Sequence, residues 1–572
     1  MRLLIAVVLA LVATPAGLAA EASLTERQAT AAFLGDDKVA DWLDRYPSGG
    51  RIDNAEHDRE RGTWTVHVWW GDAGEIATGK VDDGTGEVTE AWTGPQVAWK
   101  MARGSDGAFG GKTINRPEVW LALCAVFLLG LVDWRRPLGL RTLDLLVLLS
   151  FSVSLWFFNE GDVFTSMPLV YPALAYLLAR MVWIGLRGRS PSLRAAVWPV
   201  WILAAATVFL AGFRIGLNLE GSNVIDVGYS GVIGAHRIVN GEAPYGHMPV
   251  QARARPCGDA DAEGEIRERI QTNGRCESSN ERGDTYGPVS YIAYIPGYLL
   301  FGWSGKWDDL PAAHFSSIAF DLLALLGLAL VGRRFGGLRL AATLAFAWAA
   351  YPFTQYASNS NTQDTLPAVF LIWGFWLVSS PWARGIFGAL AGWTKFGALI
   401  VAPLWAGYPE AVRLRRPRGP LLYAAGFAAA TLAAFAILLL EPNPAHAARV
   451  FWDRTLGWQL GRESPFSIWD WGQYHAAGIP DLRLVQMPLI GLVLAGAVVA
   501  AFYPRRRSPL QLAALTAALL IGFELVLTHW SFLYIPWFAA FAIFAVVAPT
   551  QSEPAEPESA VDAERRELVA VR

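Results

Sequence analysis

Two kinds of residue stand where they could do chemistry: acids that follow apolar runs, and basic residues set among aromatics. One apolar run ends in Arg214-Ile-Gly-Leu-Asn-Leu-Glu-Gly-Ser-Asn-Val-Ile-Asp226-Val-Gly-Tyr229. The same polar connector continues through Ala235-His236-Arg237 and Gly241-Glu-Ala-Pro-Tyr245-Gly246, and later reads Asp284-Thr-Tyr286-Gly-Pro288-Val-Ser-Tyr291. A carboxylate in the position of Asp226 has two uses. It can take a proton from a hydroxyl within hydrogen-bond reach, or accept backbone N–H bonds at the start of the helix that follows. The residues alone leave both open.

Lys395 interrupts another apolar stretch, in Gly392-Trp-Thr-Lys395-Phe-Gly397. A lone Lys there is expensive unless it is paired or faces water, and it can also snorkel to a surface. Asp321 and Glu524 also lie inside apolar stretches, as functional groups or as partners of a neighbouring helix. A second polar connector reads Phe451-Trp-Asp-Arg454-Thr-Leu-Gly-Trp-Gln459-Leu-Gly-Arg462-Glu-Ser-Pro-Phe-Ser-Ile-Trp469. Its aromatics can stack on sugar rings or form an interfacial belt. Asn359-Ser-Asn361-Thr-Gln-Asp364 and His529-Trp530 add polar clusters at further turns. No Cys/His spacing marks a zinc site and no Walker loop is present, so no metal ligands are assigned.

The elements that must hold these residues are membrane helices. The chain has 572 residues, 53% hydrophobic and only 17% charged, against roughly a quarter charged in soluble domains. This excludes a soluble globular enzyme, and a formal charge of −3 gives no basic field for nucleic acid. Residues 1–22 read as a secretory signal peptide, with a short apolar stretch and small residues before the expected cleavage point. Residues 23–116 form a small extracytoplasmic α+β domain: a helical pattern, then Thr63-Trp-Thr-Val-His-Val-Trp-Trp70 and a strand pair turning at Asp83-Gly-Thr-Gly86.

Residues 117–194 hold three accessory transmembrane helices. Arg-rich connectors alternate with acidic or polar ones, and the positive-inside rule puts the Arg side in the cytoplasm. Val289 to Trp303 fits this alternation only as an amphipathic helix at the outer surface, and Ile386 to Ala406 only as two half-helices with Lys395 at their outer tip. Ala312 to Val331 and Leu340 to Phe353 are separate passes. The expected total is about thirteen segments of membrane length, with outer loops 214–311 and 441–480 and a disordered cytoplasmic tail over 550–572. Cys257 and Cys276 share the oxidising outer side, which favours a disulfide between them.

The 214–291 pattern resembles the outer loop of GT-C polytopic glycosyltransferases, in particular bacterial mannosyltransferase-like proteins that use polyprenyl-phosphate sugars. The resemblance covers residues 195–549. It implies a GT-C-like core within an all-α polytopic membrane protein of the plasma membrane, working at the outer face. Asp226 would be the catalytic base. Lys395, Arg214, His236, Arg237, Arg454 and Arg462 would hold the donor phosphate. Tyr229, Tyr245, Asp284, Tyr286, Asn359, Asn361, Asp364, Gln459, Trp469 and His529 would meet sugar or acceptor.

The partners implied are the lipid bilayer, a polyprenyl-phosphate-linked sugar and a lipid or glycan acceptor, and the one cofactor left open is a divalent cation. The run Lys80-Val-Asp-Asp-Gly-Thr-Gly-Glu-Val88 resembles the PepSY-type periplasmic module. Broken helices and intramembrane acids also suit a transporter or flippase of a lipid-linked substrate. A non-catalytic assembly or sensory protein would leave the Asp226 loop unexplained.

Overall fold

The computed structural model describes residues 23–46, 49–59, 61–70, 74–94, 97, 109–248, 255–256, 269–270, 275–277, 283–303, 310–412, 418–462, 464–474 and 482–550. The expected signal peptide, nearly all of the expected tail and Cys257 lie outside these residues. Cys276 is described only as backbone, in the strand Arg275–Glu277, so the expected disulfide lies outside them too.

The N-terminal unit begins with two short capped helices. Thr25 and Gln28 form a reciprocal capping box on α1 (Glu26–Leu34), and Asp36 caps α2 (Asp37–Leu43). Four strands follow as an antiparallel meander in the order β1 (Arg51–Asp58), β2 (Thr63–Trp70), β3 (Gly74–Asp82), β4 (Val88–Thr93). Trp64, Val66 and Val68 alternate inward along β2, onto Phe33, Val39 and Leu43 of the helices. Gly79 lets β3 pass close under α1: a Cβ there would lie 2.4 Å from the Phe33 ring. Trp92 packs on Phe164, their rings 5.6 Å apart, and Arg61 approaches Asp162 at 3.9 Å. These contacts seat the sheet at one end of the helical part.

That part contains, in order, α3 (Pro117–Leu131), α4 (Leu140–Asn159), α5 (Val170–Arg187), α6 (Val200–Gly221), α7 (Asp226–Val239), α8 (Pro288–Ile292), α9 (Ile295–Phe301), α10 (Pro311–Ala350), α11 (Pro352–Asn359), α12 (Leu366–Trp376), α13 (Pro381–Gly392), α14 (Ala402–Ala406), α15 (Arg418–Phe435), α16 (Pro444–Trp452), α17 (Arg483–Phe502), α18 (Pro509–Leu525) and α19 (Ile535–Val547). Among the described residues six helical segments are long and apolar enough to cross a membrane: Leu140–Asn159, Val163–Arg187, Val200–Gly221, Pro311–Ala350, Arg418–Leu440 and Arg483–Phe502. Pro117–Leu131, Pro288–Phe301, Phe396–Ala406, Pro509–Leu525 and Phe532–Val547 are apolar but shorter.

Three of the expected elements take a definite form. The helix Pro311–Ala350 is a hairpin: Gly336 and Gly337 leave helical geometry, with Gly337 at φ 68°, a backbone glycine adopts without strain. Trp348 Nε1 donates to Asp321 Oδ1 at 2.8 Å, whereas a straight helix would hold residues so far apart in sequence about 40 Å apart. The two expected passes are thus the arms 311–335 and 338–350 of one folded element.

The segment 288–301 does not cross the bundle. Val289 N bonds Trp393 O at 3.2 Å and Phe301 packs on Phe315 in the first turns of α10, so both of its ends lie at the same end of the bundle. The interrupted stretch has a helical segment on each side of its break, α13 before it and Phe396–Ala406 after it. Beyond it Lys395 is extended (φ −134°, ψ 119°), and a tight 3-10 turn Phe396–Val401 leads into the five-residue α14. The extended Lys395 thus separates two helical arms, α13 and Phe396–Ala406.

The two ends of the bundle differ chemically. At one, Arg141 donates to the carbonyls of Arg194 and Ala195, Arg384 to that of Tyr408, and Arg507 to that of Gly407. Such bonds satisfy connector carbonyls that no helix or strand pairs. The other end carries the sheet, the polar connectors and Lys395.

Candidate functional site

The site is built where three connectors share backbone contacts. A Cβ on Gly287 would sit 1.9 Å from the carbonyl oxygen of Trp393, so only glycine permits this approach. Val289 N and Ser290 Oγ then bond the carbonyls of Trp393 and Thr394 at 3.2 and 2.8 Å. This lays Tyr286 over Lys395, with Nζ 4.2 Å from the ring centre, a cation–π contact. Lys395 Nζ also lies 3.0 Å from Asp364 Oδ1, and the two side chains are 9% and 1% exposed. Trp537 Nε1 fixes the Asp364 carbonyl at 2.9 Å.

The turn before Asp364 anchors α7. Asn223 N and Ile225 N bond the carbonyls of Asn359 and Ser360 at 3.1 and 3.4 Å. Asn361 adopts a left-handed φ of 53°, which Asn tolerates better than most residues. Its amide donates to Ser222 Oγ and Asn223 O at 2.8 and 3.0 Å, and its carbonyl accepts from Tyr294 OH at 3.0 Å. Asn361 therefore pins the turn.

Asp226 is the first residue of α7. Ile225 holds the cap position and makes no side-chain cap bond, so the simple capping role does not apply, although a negative charge in a first turn is favoured by the helix dipole.

Tyr286 reports the charges around it. Burial pushes its hydroxyl well above the ordinary tyrosine range; the charges of Asp226 and Asp364 act in the same direction, and Arg462 opposes them. Three charged groups from separate connectors thus act on one ring, and Lys395 lies against its face. Arg462 lies 4.7 Å over the Trp458 ring, and its buried Nε has no hydrogen-bond partner. Nearby in the chain, both amide atoms of Gln363 and Nδ2 of Asn359 are buried without partners. Buried polar groups are normally paired, so this is a region with spare hydrogen-bonding capacity.

Other expected site residues are engaged elsewhere. Arg214 is 2% exposed and forms a bidentate pair with Asp321 at 2.5 and 2.8 Å, with Thr354 Oγ1 and the Ala349 carbonyl also accepting from it. It is an interior tie between α6 and the α10 hairpin. Arg454 and Asp284 pair with each other at 2.7 Å, and Asp284 also accepts from Gly246 N at 2.7 Å. These two expected ligands instead join the two polar connectors.

Arg237 pairs with Glu242 at 3.1 Å. His236 Nδ1 meets Tyr298 OH at 2.8 Å, and burial together with Arg237 lowers its pKa despite Glu242. Tyr229 packs edge-on against Trp303. Tyr245 OH donates to the Tyr286 carbonyl at 3.1 Å, positioning that residue. Trp469 Nε1 donates to Leu525 O at 3.0 Å with its ring buried, so it is not an open platform. His529 Nδ1 meets Ser464 Oγ at 2.8 Å. Gln459 is half-buried beside Arg462 in the chain.

Tyr534 was not anticipated. It begins the last apolar segment and lies 5.7 Å from Lys395 Nζ; its place at the polar end of that segment was the available signal. Among the described residues no group of three or more His, Cys, Asp or Glu side chains converges to hold a metal ion. Asp364 is paired with Lys395.

Fold and site together define a mainly helical protein with helices suited to a membrane, a small antiparallel sheet and a charged aromatic cluster at the sheet-bearing end. Comparison with protein families, curated proteins and solved structures finds no match.

Proposed function

We propose that this chain is a multi-pass membrane glycosyltransferase that moves a sugar from a polyprenyl phosphate to a lipid or glycan acceptor at the extracytoplasmic face. The observation that carries the reading is Lys395 held between Asp364 and the face of Tyr286, a ring on which the charges of Asp226 and Arg462 also act. Transfer from a lipid phosphate needs cations for the leaving group and a carboxylate for the acceptor proton.

Lys395 has three N–H donors, and Asp364, 3.0 Å from it, is a counter-charge in a region where an isolated cation is costly. Arg462 brings an unpartnered Nε, and guanidinium suits phosphate geometry. Asp226 takes the hydroxyl proton as the acceptor oxygen attacks the anomeric carbon and the lipid phosphate leaves. The Arg-bearing end faces the cytoplasm in this reading, as the positive-inside rule requires, and the sheet and site face outward.

The test is turnover by purified protein with a panel of polyprenyl-phosphate sugars and a lipid or glycan acceptor. Asp226→Asn should lower sugar transfer on the order of 100-fold or more, the scale of a lost general base. Equal turnover by the two proteins removes Asp226 as base. Lipid translocation without turnover on any donor replaces the transferase with a transporter.

A further inference from the structure

The Asp83 carboxylate, in the turn between β3 and β4, is nearly buried at 7% exposure and is surrounded by neutral donors. Ser23 N donates to Oδ2 at 2.8 Å, Leu24 N to Oδ1 at 3.0 Å, Trp64 Nε1 to Oδ1 at 2.8 Å, and Ser23 Oγ to Oδ2 at 2.9 Å. Ser23 Oγ is also 2.9 Å from the Asp83 carbonyl oxygen. Among the described residues the one cationic neighbour recorded for Asp83 is His57, whose Nε2 is 3.7 Å away and charged only when protonated. The N–H bonds from Ser23 and Leu24 hold the carboxyl well below the ordinary range, so it stands ionised and able to pair with a cation. The turn itself is fixed, because Asp83 N donates to Gly62 O at 2.9 Å while Asp82 accepts from Gly84 N and Thr85 N.

The residue resting on this carboxylate is Ser23, and the chain just before it reads Ala20-Glu-Ala22. Small residues at the first and third places before a bond are what a leader-cleaving peptidase accepts. We propose that the Ala22–Ser23 bond is cleaved and that the ammonium freed on Ser23 docks on Asp83, latching the N-terminal domain. Hydrolysis adds one water across the amide, leaving a carboxylate on Ala22 and an ammonium on Ser23. The same nitrogen that donates as a neutral amide then does so as a cation, at a distance already suited to it. Ser23 is exposed while its partner is not, so a peptidase can reach the bond without opening the domain core. The latch is independent of the sugar-transfer reading.

The experiment uses full-length protein recovered from membranes. N-terminal sequencing should begin at Ser23. An amine-selective acylating reagent at pH 7 should modify that terminus at least tenfold more slowly in the native protein than after urea unfolding, corresponding to a rise of about one pKa unit in the paired amine. Asp83→Asn should remove the difference. Because that variant may lose its fold, native wild-type unfolding is followed against pH as well. An amine whose folded pKa is raised contributes fully below its unfolded value of about 8 and loses that contribution as pH rises through the folded value. A chain starting at another residue, or equal native and unfolded rates, overturns the proposal.

Discussion

Two buried ion pairs, similar in composition, are used differently. In Arg214–Asp321 the guanidinium is bidentate and bonds Thr354 and the Ala349 carbonyl as well, while Trp348 completes the carboxylate. In Lys395–Asp364 the ammonium has one carboxylate oxygen and two tyrosine faces, with orphaned groups on Gln363, Asn359 and Arg462 in the connectors around it. Saturation is what separates them. A saturated pair holds helices together and has nothing left for a ligand, whereas an unsaturated one keeps donors in reserve.

The comparison can be broken most forcefully at the saturated pair. Asp321→Ala leaves Arg214 buried alone and should cost about 3–5 kcal/mol, seen as loss of folded protein in detergent and a lower thermal midpoint. The volume-matched double change Arg214→Met with Asp321→Leu should restore most of that stability, as replaced buried pairs commonly do. The matching change at the other pair, Lys395→Met with Asp364→Leu, should keep the fold but lower sugar transfer about 100-fold, the scale of a lost electrostatic contact in a site. Restored transfer in that double variant would erase the distinction.

Arg454→Ala tests a pair of intermediate character. It strands the fully buried Asp284 and should cost about 2–3 kcal/mol, with faster proteolysis of both polar connectors as the readout. Arg462→Ala should raise the KM for the lipid-phosphate donor about tenfold, the value of one charge-assisted contact of ~1.4 kcal/mol, with stability within ~0.5 kcal/mol. The smallest effect belongs to Arg483→Ala. Arg483 reaches Asp470 but is 56% exposed, and solvent limits such pairs to below about 1 kcal/mol.

The contrast also explains what could be read from the residues in order. Asp226 after an apolar run and Lys395 between Gly392 and Gly397 mark themselves locally, because a charge among apolar residues is conspicuous without any partner in view. Asp364 was visible as part of a polar turn, but its pairing with Lys395 joins two connectors, and Tyr286 covers Lys395 only because Gly287 passes close to the Trp393 carbonyl. Arg214 was assigned to phosphate because it ends an apolar run. Its real partner lies 107 residues downstream, and no local pattern carries that information. β1 left no apolar alternation because its residues are mostly polar and exposed at the sheet edge. β2 could be read directly, since Trp64, Val66 and Val68 all face one core.

Folding back at Gly336–Gly337 sets an order of events during synthesis. Arg214 leaves the ribosome 107 residues before Asp321, a wait of about 5–20 s at ordinary elongation rates. Throughout that interval α6 carries a guanidinium that lipid would not accept. The carboxylate then arrives on the first arm of the hairpin, and Trp348 only on the second. If these helices enter a bilayer, α6 is expected to stay beside the insertion machinery until the hairpin has emerged, making their release a joint step.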